Sequence, residues 1–104
     1  MDSAMPAQRY RSQYLKLAAL RAVDAIDTHR SLLKASVALG LSQPALTKTL
    51  QELEGMLQVR LFERLPRGVR ATEAGVVLIR SARRILAELR RLDEELETLS
   101  AAGG

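Results

Sequence analysis

Residues 31–57 read SLLKASVALGLSQPALTKTLQELEGML, and this stretch decides the fold. Ser31 is a good N-cap for a short helix over 32–39, and Gly40 can end it in the left-handed backbone region. Two residues later Ser42 can cap a second helix. Pro44 falls in the first turn of that helix, where its missing N–H has no intrahelical partner to lose. It also disfavours the α region at Gln43, so the start lies within a residue or two of that position. Two helices joined by about four residues, Gly among them, make a helix-turn-helix pattern, a spacing shared with many plain helical hairpins.

The second helix is the more informative of the pair. Leu46, Leu50, Leu53 and Leu57 fall at i, i+4, i+7 and i+11, one narrow apolar stripe. At about 100° per residue the opposite face holds Pro44, Lys48, Gln51 and Gly55, flanked by Thr47 and Glu52. Near its start this face is small, polar and uncharged apart from Lys48. An ordinary solvated face carries several Glu/Lys pairs at i, i+4, and here Lys48 and Glu52 are the one such spacing. Gln can bond adenine through two hydrogen bonds, Lys can reach guanine, and a Thr methyl can pack on thymine.

Upstream, residues 14–26 are rich in Ala and Leu, with Leu17, Leu20 and Val23 at spacings of three, and predict a short helix. The polar run Asp27-Thr28-His29-Arg30 reads as the turn after it. Residues 1–13 have no periodicity and read as a flexible leader. Downstream, Val59-Arg60-Leu61-Phe62-Glu63-Arg64 and Val69-Arg70-Ala71 flank Leu65-Pro66-Arg67-Gly68. Pro at the second and Gly at the fourth position of that tetrapeptide is type I turn chemistry, so a two-stranded hairpin is expected. Arg64, Arg67 and Arg70 decorate this wing. An arginine at its tip, Arg67, can enter a minor groove or clamp a phosphate; a basic surface loop would look the same.

The last segment is a long helix. Thr72 can cap it, Glu73 suits its positive end, and only Gly75 interrupts good helix formers as far as Leu99. About 26 residues at 1.5 Å each give roughly 39 Å. Leu78, Ala82, Ile85, Leu89, Leu92, Leu96 and Leu99 alternate spacings of four and three, a sustained heptad seam. A core of this size cannot cover such a helix along its whole length, so its far end calls for the same helix of a second copy. Arg80, Arg83 and Arg84 lie in its first half, and Asp93, Glu94, Glu95 and Glu97 near its end. Antiparallel pairing would set Arg84 near Asp93, Arg83 near Glu94 and Arg80 near Glu97, while parallel pairing would align like charges. Each exposed pair adds only ~0–1 kcal/mol, so the seam supplies affinity and the charges choose direction.

Composition agrees with a helical, polyanion-binding domain. The 104 residues are 47% hydrophobic and 27% charged, but only 3% aromatic, so the core must be aliphatic and the fold mainly α. There is no Cys, which excludes a disulfide scaffold, a thiolate zinc site and a cysteine nucleophile. No apolar run approaches the roughly 18 residues that span a bilayer, and no signal peptide opens the chain, so a cytoplasmic, nucleoid-associated protein is expected. All 16 Lys and Arg lie in residues 1–92, whereas four of the 12 acids, Asp93, Glu94, Glu95 and Glu97, cluster at the end. A basic body suits nucleic acid, or is simply a solvated basic surface. Thirteen of the cations are Arg, whose planar fork matches phosphate and guanine.

Four blocks, Ser42-Gln43-Pro44-Ala45-Leu46-Thr47, Leu53-Glu54, Leu61-Phe62-Glu63-Arg64 and Thr72-Glu73-Ala74-Gly75, together resemble the DNA-binding domain of the LysR-type transcriptional regulators. The likeness runs from about Tyr14 to Leu99. It implies a winged helix-turn-helix over 14–71 and a linker helix over 72–100 that dimerises antiparallel. It further implies DNA contacts from Ser42, Gln43, Pro44, Thr47 and Lys48, with Arg64 and Arg67 near the wing; Gln51 joins them from its place on the exposed face. The implied partners are a second copy and double-stranded DNA with two-fold related half-sites. Three positions depart from the family pattern. Gln58 and Arg30 stand where Gly is usual, and Leu20 where an aromatic is common. Gly55 is therefore expected to absorb a bend at the end of its helix. Family members carry an effector-binding domain after the linker helix, so residues 101–104 read as a tail at the start of such a domain. On that reading the chain is a truncated piece or a stand-alone regulator, and any small-molecule effector would act through the domain this chain lacks.

Two other readings compete. One is a stand-alone winged helix of the ModE type; the other is a helical adaptor whose heptad helix docks a partner protein. An enzyme is not expected, because His29 is the only His and reads as a surface residue. No glycine-rich phosphate loop, metal-ligand spacing or nucleophile–base pair is present, and no cofactor is expected.

Overall fold

The computed structural model describes residues 15–103, so the expected leader at 1–13, Tyr14 and Gly104 lie outside the described residues. Its elements are α1 (Leu17–His29), α2 (Leu32–Leu39), α3 (Gln43–Leu57), β1 (Phe62–Arg64), β2 (Val69–Ala71) and α4 (Glu73–Gly103). The strands form one antiparallel pair in the register Phe62↔Ala71, Glu63↔Arg70 and Arg64↔Val69. Three helices, a short hairpin and a long last helix give the mainly α winged helix-turn-helix expected from the sequence.

Helix boundaries follow local chemistry. The Ser31 side chain accepts a hydrogen bond from the Lys34 N–H, and Gly40 ends α2 at φ 70°. The Ser42 side chain likewise accepts from the Ala45 N–H, with Pro44 in the first turn of α3. Each such cap contributes about 1 kcal/mol. α1 departs from expectation. It starts at Leu17 and continues through Asp27, Thr28 and His29, and only Arg30, at φ 55°, turns the chain. The polar run is helical because its side chains point outward and Asp27 is bound by a distant arginine.

α1 is the central element and packs against α2, α3, α4 and the second strand. Its Ala19, Leu20, Ala22, Val23, Ala25 and Ile26 meet Leu32 and Ala35 of α2, Leu46, Leu50 and Leu53 of α3, and Ile79 and Ala82 of α4. Leu61, Phe62 and Val69 close this aliphatic core from the hairpin side. Many small alanines on α1 let its neighbours approach closely, which is how so few aromatics suffice.

α4 runs four residues beyond Leu99, to Gly103, so most of the expected tail is helical. Its buried residues are Gly75, Ile79, Ala82 and Leu86, a stripe different from the heptad seam. At about 100° per residue the two stripes lie roughly 90° apart. Ala82, assigned to the seam from its spacing, is fully buried against its own head. Leu78 and Leu89 are half-buried, while Ile85, Leu92, Leu96 and Leu99 are exposed. Exposure climbs from 41% at Ile85 to 68% at Leu99, so the outer half of α4 has no partner among the described residues. Among the described residues no helix is long and apolar enough to cross a membrane.

Candidate nucleic-acid interface

α3 presents its polar start to solvent. Ser42, Gln43, Pro44 and Lys48 are exposed in its first two turns, Gln51 is exposed one turn further, and Thr47 is half-buried. The same rotation that buries Leu46, Leu50 and Leu53 produces this arrangement, so the outward face is a consequence of the core. Pro44 has no N–H, and Ser42 takes the Ala45 N–H with its hydroxyl and the Leu46 N–H with its carbonyl. Side chains and not backbone donors therefore dominate this end.

The wing folds back beside α3. Thr47, Gln51 and Arg64 line one open groove with Glu54, Arg60, Phe62 and Val69, about 280 Å³ in volume. This groove brings three of the residues singled out from sequence onto one surface, two from the helix and one from the wing. Arg67 lies in the exposed hairpin loop. Arg70 is committed to Glu63 across the ladder at 3.5 Å, whereas Lys48, Arg64 and Arg67 make no ion pair among the described residues.

Two residues that spacing did not single out as functional hold the wing in place. Glu54 Oε2 accepts from the Leu61 N–H at 2.7 Å and from the Phe62 N–H at 3.3 Å, which ties β1 to the last turns of α3. Its side chain is only 14% exposed and lies 3.9 Å from the Arg60 guanidinium. The one hint in the sequence is an acid beside the leucine stripe with no cation three or four residues away. The Thr72 hydroxyl accepts from the Gly75 N–H, as an N-cap, and donates to the Arg60 carbonyl at 2.6 Å. The Thr72 N–H donates to the Leu61 carbonyl at 2.9 Å, so both ends of the hairpin close on α4.

At the tip, the Leu65 N–H donates to the Gly68 carbonyl at 2.9 Å. Gly68 sits at φ 88°, and a Cβ there would strike the Arg30 carbonyl oxygen. The Val69 N–H donates to that same oxygen at 3.2 Å. The hairpin therefore rests on the corner between α1 and α2 as well as on α3.

The end of α3 also differs from the expectation. α3 does not bend at Gly55, which remains inside the helix; Gln58 itself takes the left-handed conformation, at φ 58°. The charge pairing expected along α4 is also corrected. Arg83 does not wait for Glu94 of a second copy but binds Asp24 and Asp27 of its own chain, at 2.7 and 2.9 Å. Its pKa is raised, first by the hydrogen bond to Asp24 and then by that to Asp27, against a lowering from partial burial. His29 is exposed at the end of α1. Among the described residues no three His, Cys, Asp or Glu gather closely enough to hold a metal ion.

Comparison with known proteins fits this geometry. Residues 17–76 match the family described as "Bacterial regulatory helix-turn-helix protein, lysR family". The chain is 45% identical over 96 residues to the HTH-type transcriptional regulator GbpR of Azospirillum brasilense, covering 92% of this chain and 28% of that protein. It is 44% identical over 86 residues to an uncharacterized HTH-type transcriptional regulator of Azotobacter vinelandii, covering 83% of this chain and 60% of that one. It therefore spans less than two thirds of either relative. Among solved structures, the CbnR_DBD-DNA complex superposes with a TM-score of 0.74 at 31% identity, covering 83% of this chain and 99% of that one. From the capped helix pair, the tied-down wing and these likenesses together, the chain belongs to the lysR family of bacterial regulatory helix-turn-helix proteins.

Proposed function

We propose that this chain reads double-stranded DNA as a homodimer and serves a transcriptional regulator, not an enzyme. α3 would enter the major groove with Ser42, Gln43, Pro44, Thr47, Lys48 and Gln51 toward base edges and phosphates. Arg64 and Arg67 would hold the flanking backbone or minor groove. The observation that carries this reading is the groove between α3 and the wing, where Thr47 and Gln51 of the helix meet Arg64, an arginine that makes no ion pair among the described residues. The relatives are named as transcriptional regulators, and the superposed CbnR_DBD chain was crystallised with DNA. A bacterial regulator of this kind would work in the cytoplasm, at the nucleoid.

The second copy would dock on the stripe of Leu78, Ile85, Leu89, Leu92, Leu96 and Leu99. With Arg83 withdrawn to its own head, Arg80 and Arg84 in the first half and Asp93, Glu94 and Glu97 near the end still favour the antiparallel arrangement. Two heads on one rod then demand two-fold related half-sites on one face of the duplex.

Selection of bound sequences from a random duplex pool, followed by anisotropy titration, tests the reading. Gln43→Ala and Lys48→Ala should change sequence preference. Arg67→Ala should weaken binding to all duplexes evenly and lower the salt dependence by about one counterion. Titrations in which neither class of variant alters DNA binding would remove these residues from the site. Affinity that ignores salt would favour the helical adaptor instead.

A further inference from the structure

α4 leaves the head at Leu86, seated up to that point by the small Gly75 and Ala82 and the larger Ile79 and Leu86. Gly75 lies directly on the Leu61 carbonyl and Ala82 lies flat on α1, so neither interlocks with a neighbour. Apolar contacts, small or large, are non-directional and do not by themselves fix an angle. One polar device crosses the joint. Arg83 Nε donates to Asp24 Oδ1 at 2.7 Å, while its Nη2 donates to Asp27 Oδ2 at 2.9 Å and to Thr28 Oγ1 at 3.2 Å. Among the described residues these are the only side-chain hydrogen bonds from α4 to another element. They grip one turn of α1 at two heights, and a planar guanidinium held at two heights opposes both sliding and twisting.

Arg83 stands on the side of the buried stripe opposite the unpartnered leucines. It is thus free of the proposed dimer contact, and it is no part of the α3–wing groove. We infer that Arg83 is a positioning residue that fixes the angle between the reading head and α4, and thereby sets the half-site separation that a dimer accepts. The inference rests on the DNA-binding dimer proposed above. Lever arithmetic gives it consequence. From Leu86 to Leu99 the helix extends roughly 20 Å at 1.5 Å per residue. A swing of about 10° at the joint then moves a head by ~3.5 Å relative to the far end of the rod, close to the ~3.4 Å rise of one base pair. Without the clamp, neighbouring spacings become nearly equivalent.

The chain has no cysteine, so spin labels can be placed at will. Labels on Lys34→Cys in α2 and Glu97→Cys in α4, diluted with unlabelled chain, report the head-to-rod distance within one protomer. The expected result is one narrow distribution for the parent and a width about two-fold greater for Arg83→Gln, with Arg83→Lys between them. An unchanged mean and width in Arg83→Gln overturns the inference, whether or not the protein binds DNA. In parallel, duplexes carrying the selected half-sites are varied in separation by single base pairs. The parent should prefer one spacing by about ten-fold and Arg83→Gln by less than about three-fold, with single half-site affinity and dimer mass unchanged. A flattened profile that Arg83→Lys partly restores supports positioning; a profile as sharp as the parent's overturns it. Failure of the parent itself to bind any duplex would count against the function proposed above, while the distance measurement still decides the clamp.

Discussion

Arg30 and Gln58 carry the only positive φ values among the described non-glycine residues, 55° and 58°, and each closes a helix. An L-residue in this region costs on the order of 1 kcal/mol, and glycine occupies it freely. The N–H that closes α3, from Gln58 to the Glu54 carbonyl at 2.7 Å, needs no side chain. Gln58→Gly should therefore stabilise the fold by about 0.5–1 kcal/mol, after allowance for glycine's looser unfolded chain, seen as a higher urea midpoint. A lower midpoint would mean the Gln side chain contributes something its exposure hides. Glu54 is the opposite case. Truncation to Ala leaves the Leu61 and Phe62 amides without their acceptor and should cost about 1–3 kcal/mol. Faster hydrogen exchange at those two amides, with α2 unaffected, is the accompanying signature. The sequence pointed to Gly55 for the bend because Gln58 stands where Gly is usual, yet Gln58 itself adopts the left-handed conformation. It could not disclose that Glu54 is held from outside the helix, since its partners lie seven and eight residues on.

At the level of elements, the two capped helices were legible because everything that defines them is local: Ser31, Gly40, Ser42 and Pro44 act within four residues of themselves. The hairpin was legible for the same reason. α1 was misjudged by three residues at its C-terminus, because Asp27 and Thr28, which look like turn formers, instead accept from Arg83, more than fifty positions away. In α4 the heptad rule found a real exposed stripe but also claimed Ala82, which a one-dimensional period cannot separate from the adjacent buried stripe. The exposed polar face of α3 was legible from its period, whereas the groove that joins Thr47 and Gln51 to Arg64 needed the wing's tertiary anchor. That anchor gives a test. A Cβ at Gly75 would meet the Leu61 carbonyl and come within 3.3 Å of the Ala71 Cβ, both on the hairpin side. Gly75→Ala should therefore lower stability by about 1–3 kcal/mol, despite alanine's better helix propensity, with thermal unfolding as the measurement. A gain instead would show that α4 shifts on the hairpin without penalty.

On the scale of the whole molecule, one surface remains to be covered. Leu92 is 46% and Leu96 54% exposed on the outer half of α4, which packs on no other element among the described residues. Leu92→Glu should convert a dimer to a monomer at micromolar concentration by sedimentation, while circular dichroism of the head stays intact. A variant that still sediments as a dimer would move the contact off this stripe.

The bond from the Val69 N–H to the Arg30 carbonyl has a consequence for how the chain would meet a duplex under the proposed function. A hairpin hinged only at its base would flutter, and a duplex would have to still it on arrival. Here the tip is buckled to the α1–α2 corner and the base to Glu54 and Thr72, so Arg64 and Arg67 travel on a strap already drawn tight. The loss of freedom that accompanies docking is largely incurred when the chain folds, which favours slow release over rapid capture.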